Sequence, residues 1–567
     1  MTKRQPMQRS KSSNNNNIGE LSYEDMEYML YKIFDDTTHR IEDYNARDLT
    51  EITLGMAKIA KTLRQQGMRR GEDSSRVILR RLMLSIDMKP NKKLFQFFAN
   101  ASVHKLDQFN ARSLSNLAYT HALIDYVPEF DDGSDLFDHI AMEAVEIGAE
   151  FNAQDMSNMV WAYATVDKPH AVLFEAMGNE VNEFKHPQDF SNTVWAYANA
   201  GVNHPTLFQR LANHIVNTGS LGRFKPQDFT NIVWAYATAG VRHPHLLEKM
   251  ANHIVESDSL HRFVSQALSN IVWAYATADI NHPKLFEKVA SHIVESKSLD
   301  RFKPQELSNI VWAYATAQVS HPKLFQQVAS AAIQRKEELN SQNVANLLWS
   351  YATMGVVDKQ LFLSFVSTAE TLIDSYTNQG LANIVWAYAV ADVNAPTLFN
   401  DVFINKCVEK KDGFAIEALL QLHQWHLWQT KEKSNPGLPT DLQERCYNAF
   451  LSEDPTVSKL QKDVVAQLSS IGLDPKEEVL MGSGYRIDAI VEVNGKVVAV
   501  EVDGPSHFIG EGRSPTGSTI LKRRQVSLVD GIELVSVPYW EWNKLGEDRK
   551  KKQEYLRKKL SLTTVES

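Results

Sequence analysis

Asn231-Ile232-Val233-Trp234-Ala235-Tyr236-Ala237 is one copy of a phrase, Asn-x-x-Trp-(Ala/Ser)-Tyr-Ala, whose tryptophan recurs at positions 161, 195, 234, 273, 312, 349 and 386. The copies are 34 to 39 residues apart, and seven of the eleven tryptophans occupy this slot. A period of that length without strand-like alternation inside it specifies a stack of two-helix units, an α-solenoid. In the copy quoted, Pro226 suits a first helical turn, where an N–H is not needed. Phe229, Ile232, Val233, Tyr236 and Ala237 then form an apolar stripe at helical spacing. After a break at 240–243, Pro244 opens a second helix whose stripe is Leu246, Leu247, Met250, Ile254 and Val255. The pairs His204-Pro205, His243-Pro244, His282-Pro283 and His321-Pro322 read as helix starts, with His at the N-cap and Pro at N1. Lying a whole repeat apart, these histidines cannot converge on one metal ion.

Working outward from the apolar stripe, the turn of about 100° per residue puts Gln227, Asn231 and Thr238 together on the opposite side, with Trp234 at the edge of that polar strip. The glutamine recurs as Gln154, Gln188, Gln227, Gln266, Gln305, Gln342 and Gln379. The asparagine recurs as Asn158, Asn192, Asn231, Asn270, Asn309, Asn346 and Asn383. A uniform ladder of uncharged donors and acceptors suits an extended polymer or its bases. The alternative is that these amides cap or bridge neighbouring helices and that the tryptophans serve packing between repeats. The residue after each glutamine varies (Asp155, Asp189, Asp228, Ala267, Glu306, Asn343, Gly380), as expected either of a modular code at a groove margin or of surface drift.

The 567 residues, 43% hydrophobic and 23% charged, are too many for one compact domain and indicate a mostly α array with something added. Residues 1–20 read as a disordered or targeting tail: over 1–17, Lys3, Arg4, Arg9 and Lys11 stand without an acid, beside the asparagine tract 14–17. From 21 to 150 the repeat is degenerate, with Tyr119 in the tryptophan slot, an earlier copy at Tyr44-Asn45-Ala46 and an inserted loop at 127–136. The well-formed repeats occupy 151–430, a boundary segment 431–454, and an α/β domain 455–567. Two cysteines exclude a disulfide framework and a multi-thiolate zinc site. No apolar run is long enough for a membrane span or a secretory signal, so neither membrane insertion nor secretion is expected. A net charge of −9 excludes a protein that coats nucleic acid by bulk electrostatics.

In the last domain a helix at 455–471 precedes strands at 485–493 and 496–502, joined by the hairpin dipeptide Asn494-Gly495. A helix bearing Lys522, Arg523 and Arg524, a strand at 532–537 and a final helix at 547–560 with Lys550 and Lys551 complete it. Glu501 and Asp503 share one strand face, Asp488 lies on the partner strand, and His507 follows nearby. As catalytic and metal-ligating candidates, these three carboxylates and the imidazole can hold Mg²⁺ or Mn²⁺ for phosphodiester hydrolysis. The basic residues of the two helices would then engage phosphate. The alternatives are a plain turn at Asp503-Gly504 that His507 bonds, and a merely solvated charge run at the end.

The strings Val500-Glu501-Val502-Asp503-Gly504-Pro505-Ser506-His507-Phe508, Leu521-Lys522-Arg523-Arg524 and Val537-Pro538-Tyr539-Trp540-Glu541-Trp542 resemble the RAP domain, over a core of about 498–557. The Trp-Ala-Tyr-Ala copies resemble octotricopeptide-type repeats, which commonly precede that domain in organellar RNA-processing factors. The resemblance implies a restriction-endonuclease-like fold for the C-terminal domain, with Vsr-type relatives that carry Glu-x-Asp-Gly-x-x-His. It also implies RNA binding in mitochondria, or alternatively plastids or cytoplasm, in transcript processing, stability or translation. The sequence departs from the usual nuclease core, which follows its acid with x-Lys, because Asp503 stands in the lysine's place. Three readings follow. The first is a non-enzymatic factor that holds single-stranded RNA along the ladder, needs no cofactor and works beside other RNA-processing proteins. The second is a metal-dependent endoribonuclease, and the third a scaffold for an extended peptide.

Overall fold

The computed structural model describes residues 39–70, 94–180, 184–218, 221–257, 259–296, 299–452, 457–510 and 512–562, together with Lys32. The expected tail at 1–20 lies outside them. Two compact units divide the chain between Leu207 and Phe208.

The first unit begins its helical pairs with Ala46–Arg70 and Leu94–Val103, followed by Ala111–Leu123 with Leu136–Glu146 and Ala153–Thr165 with Ala171–Glu180. Asn45 starts the first helix by a reciprocal cap: the Asp48 N–H donates to its Oδ1 at 3.0 Å and its own N–H donates to Asp48 Oδ2 at 3.3 Å. The degenerate copy around Tyr119 is a true repeat, since that ring lies 5.1 Å from Trp161. The loop before Leu136 closes through an isolated bridge between Glu129 and Asp135, and Asp135 then caps the next helix.

In the second unit the first helices of successive repeats (A helices) are Pro226–Thr238, Ser265–Thr277, Pro304–Thr316, Ser341–Thr353 and Asn378–Ala391, each packed on the next. Their partners (B helices) include Pro244–Glu256, Pro283–Glu295 and Pro322–Gln334. As the His-Pro pairs predict, His243, His282 and His321 accept the N–H of the residue three positions on through Nδ1, at 3.2, 3.1 and 3.2 Å. The turn from A to B needs a left-handed residue, supplied by Gly240 (φ +63°), Asp279 (φ +55°), Gln318 (φ +52°) and Gly355 (φ +61°).

The tyrosine of each Trp-Ala-Tyr-Ala phrase joins one repeat to the next. In the first unit the hydroxyls of Tyr163 and Tyr197 donate to the carbonyls of Phe137 and Phe174 at 2.5 and 2.6 Å. In the second, Tyr236, Tyr275, Tyr314, Tyr351 and Tyr388 donate to the carbonyls of Phe208, Leu247, Phe286, Phe325 and Phe362 at 2.5 to 2.8 Å. Wherever the acceptor is a phenylalanine, its ring meets the tyrosine edge to face at 5.0 to 5.2 Å. These phenols are sealed from water, and burial pushes the ionisation of Tyr236 and Tyr314 far above the ordinary range.

The C-terminal domain carries a four-stranded sheet in the order β1 (Lys476–Leu480), β2 (Arg486–Val493), β3 (Lys496–Asp503), β4 (Glu533–Pro538). The first three strands are antiparallel, and β4 runs parallel to β3 after the crossover helix Gly517–Val529. Asn494 (φ +53°) and Gly495 (φ +77°) form the two-residue hairpin that their pairing predicts. One sheet face packs on Lys459–Ser470 and Arg549–Lys559 through Val464, Leu468, Val500, Trp542 and Leu556.

Each tyrosine bond is expected to contribute about 1 kcal/mol. Tyr314→Phe should therefore lower the urea midpoint by that equivalent without changing the helical circular-dichroism signal, whereas Tyr314→Ala, which also opens a cavity, should cost roughly 3–5 kcal/mol.

Candidate nucleic-acid interface

In each A helix most side chains are buried, which leaves few in contact with water. In Pro226–Thr238 these are Pro226, Gln227, Asn231, Trp234 and Thr238. Gln227 and Thr238 are exposed, while Asn231 and Trp234 are half-buried. The same pattern holds for Gln266, Asn270 and Trp273, for Gln305, Asn309 and Trp312, and for Gln342, Asn346 and Trp349. In the first unit it holds for Gln154, Asn158 and Trp161 and for Gln188, Asn192 and Trp195. Trp therefore stands in line with Asn, three residues on and one turn up the same face.

Among the described residues, no group hydrogen-bonds the side-chain amides of Asn158, Asn192, Asn231, Asn270, Asn309 or Asn346. The bridging alternative is thus not what these six do. It does describe the last rung: Asn383 is buried, and its Oδ1 accepts from Gln379 Nε2 at 2.8 Å and Gln421 Nε2 at 3.2 Å. Trp386 in the same helix donates Nε1–H to Gln424 Oε1 at 2.8 Å. Helix Ile416–Leu427 thus covers Asn383 and Trp386 of the seventh copy and takes them off the open face, while Gln379 stays exposed and donates to Gln421 Oε1 at 3.2 Å.

The variable position after each glutamine is not at a groove margin. Asp155, Asp189, Asp228, Ala267, Glu306 and Asn343 are all at most 8% exposed. Asp228 and Glu306 accept the N-cap N–H of Lys225 and Lys303 at 2.8 and 3.0 Å, and Asn343 does the same for Asn340. Where the residue is polar, capping accounts for it, whereas Ala267 and Gly380 carry no side-chain acceptor and are simply buried.

In the C-terminal domain, β3 carries Glu501 and Asp503 inward, 3% and 2% exposed. Lys522 Nζ donates to Glu501 Oε2 at 2.8 Å, and Arg523 Nη2 donates to Asp503 Oδ2 at 2.6 Å. Ser536 on β4 also donates to Asp503 Oδ2, and His507 Nδ1 lies 3.3 Å from the other oxygen. Asp488 on β2 accepts the Val502 N–H at 2.6 Å. Burial pushes the Asp488 carboxyl up and the His507 imidazole down. Burial also raises Glu501 to about 7, against the pull of the Lys522 ammonium and with Asp488 adding to the rise.

Residues 500–559 match the family model of the RAP domain. Three overlapping stretches, 37–257, 180–298 and 223–408, match the family described as RNA-editing substrate-binding complex 6 protein, and together they run over more than half the 567-residue chain. The chain belongs to that helical-repeat family and ends in a RAP domain. A RAP domain-containing protein, chloroplastic, from Oryza sativa subsp. japonica is 40% identical over 101 residues, which is 18% of this chain and 15% of the rice protein. A homology model of the full-length AP-3 complex in an intermediate open conformation aligns with 74% of this chain and 83% of its own at 11% identity. Its TM-score of 0.21 is too low to bear on the fold.

Several expected site residues of the RAP domain have other tasks. Lys522 and Arg523 are spent on Glu501 and Asp503, and Arg524 donates to Glu432 Oε2 at 2.8 Å and to the carbonyls of Ala389 and Val390. All three are half-buried and each is paired with a carboxylate, so none stands as a free exposed cation. The expected metal site of Asp488, Glu501 and Asp503 does not fit an ion either. Glu501 and Asp503 are neutralised by cations and Asp488 is occupied by a backbone N–H, and among the described residues no group of three His, Cys, Asp or Glu is placed to hold a metal. Lys550 and Lys551 do stand exposed on the last helix, whereas Lys552 turns in to Asp463 at 2.7 Å. Strand β1, Ser536 and the pair Arg524–Glu432 escaped sequence reasoning, since each owes its role to a distant partner rather than to spacing.

The RAP domain is seated on the repeats by close approach. A Cβ on Gly517 would come within 2.0 Å of the Ala352 carbonyl oxygen, so Gly517→Ala should displace helix Gly517–Val529 and cost roughly 1–3 kcal/mol in a denaturation curve. Glu501 sets a pH dependence. Its folded value of about 7 exceeds the ordinary 4.5, so its contribution to stability is complete below 4.5 and lost as pH rises through 7. Glu501→Gln, which imitates the protonated acid, should flatten the decline in melting temperature across that window, an effect of up to roughly 3 kcal/mol.

Proposed function

We propose that this protein binds single-stranded RNA along the solvent face of its A helices, with the RAP domain as a holding rather than a cutting element. The observation that carries the reading is the set of half-buried Asn amides without partners, each in line with a half-buried Trp. An amide supplies a donor and an acceptor to a base edge, and an indole supplies a stacking surface, which is how unpaired strands are recognised. Lys225 and Lys303, exposed at the starts of their A helices beside Gln227 and Gln305, add charge for the sugar-phosphate backbone. The names of the matched families, RNA-editing substrate-binding complex 6 protein and RAP domain, agree with an RNA-associated protein.

An organelle is the proposed setting, supported by the chloroplastic name of the rice relative; mitochondria are the other compartment the repeats suggest. Binding needs no cofactor in this reading, and other RNA-processing proteins are the expected company. Among the described residues no helix is long and apolar enough to cross a membrane.

Filter binding with the full chain should give tighter retention of single-stranded RNA than of duplex DNA. Asn270→Ala should weaken it at unchanged melting temperature, and adding Trp273→Ala should bring the loss to roughly tenfold or more with the helical circular-dichroism signal kept. Equal retention of both nucleic acids, or variants that bind normally, would refute the reading. Chelator-sensitive RNA fragments that disappear in Asp503→Ala would restore the nuclease.

A further inference from the structure

The four A helices Pro226–Thr238, Ser265–Thr277, Pro304–Thr316 and Ser341–Thr353 are more alike on the outside than a mixed target would require. Beyond the first residue, every side chain of theirs that reaches solvent is Gln, Asn, Trp or Thr, in the same order and at the same turn of each helix. The position that does vary (Asp228, Ala267, Glu306, Asn343) is buried in all four, and its three polar versions are bonded within their own N-terminal caps. Helical-repeat proteins that read one base per repeat discriminate by changing the side chains on that face from one repeat to the next. Here each rung offers the same amide geometry and the same ring, so each must impose the same preference.

We infer that the ladder selects a tract of one base repeated, at least as long as these four rungs, in preference to a sequence of mixed composition. The inference rests on the RNA reading above and narrows its substrate class. An Asn amide matched to one base edge at Asn231 is matched to the same edge at Asn270, Asn309 and Asn346, so a departure at any step leaves one amide without its partner. The closed rung at Asn383 bounds the tract on that side.

Fluorescence anisotropy of the full chain tests this with end-labelled oligoribonucleotides roughly 12 nucleotides long, comparing oligo(A), oligo(U) and oligo(C) with shuffled mixtures of those bases. One homopolymer should bind about tenfold or more tightly than every shuffled strand, and a single foreign base within its tract should cost about as much. In Asn309→Ala, a foreign base should be tolerated at one tract position with the melting temperature unchanged. Shuffled strands that bind as tightly as the best homopolymer would overturn the inference and leave RNA binding standing. If no oligoribonucleotide binds, the RNA reading falls with it.

Discussion

The bond between a buried tyrosine hydroxyl and a main-chain carbonyl of the preceding B helix is the constraint on which the repeat array depends. A helix packed by apolar stripes alone can slide or rotate against its neighbour at little cost, because the hydrophobic effect has no direction. A phenol that must find one carbonyl in a dry interior cannot, since a misplaced hydroxyl would be buried without a partner. Every repeat from Tyr163 to Tyr388 carries such a donor, and its acceptor lies on the B helix before it. Fixing the A helices in rotation is what turns the Gln, Asn and Trp columns outward together, so the clamp in the core sets the order at the surface.

Much of this was legible in the chain. The period, the two-helix unit, the His-Pro caps and the Asn494-Gly495 hairpin follow from local chemistry, and local chemistry is what spacing encodes. The polar face was legible for the same reason, as Gln227 and Asn231 lie one turn apart. Reading failed where a residue's neighbour is remote in sequence or where a cap hides it. Asp228 reads as a surface variable in the sequence, yet it caps Lys225, and Asn383 reads like its six counterparts although Gln421 lies over it. Basic residues misled most: Lys522, Arg523 and Arg524 are adjacent in sequence, yet each charge is taken by a carboxylate at least twenty residues away.

In the RAP domain the carboxylate string is met by charges of the opposite sign. Glu501 and Asp503 keep the strand position from which acids face a common point, but β4 and the crossover helix supply Ser536, Lys522 and Arg523 to the same space. Buried charges without such partners would cost several kcal/mol each, roughly what stabilises a whole domain. The paired cations tie strand β3 to the crossover helix.

The left-handed residue at each A-to-B turn has a consequence for how the array can change. Gly240 and Gly355 reach positive φ without strain, whereas Asp279 and Gln318 do so with a side chain attached. The corner geometry is therefore enforced by the packed helices on both sides and not merely permitted by glycine. Glycine at those two corners would relieve the small backbone cost without altering the path of the chain.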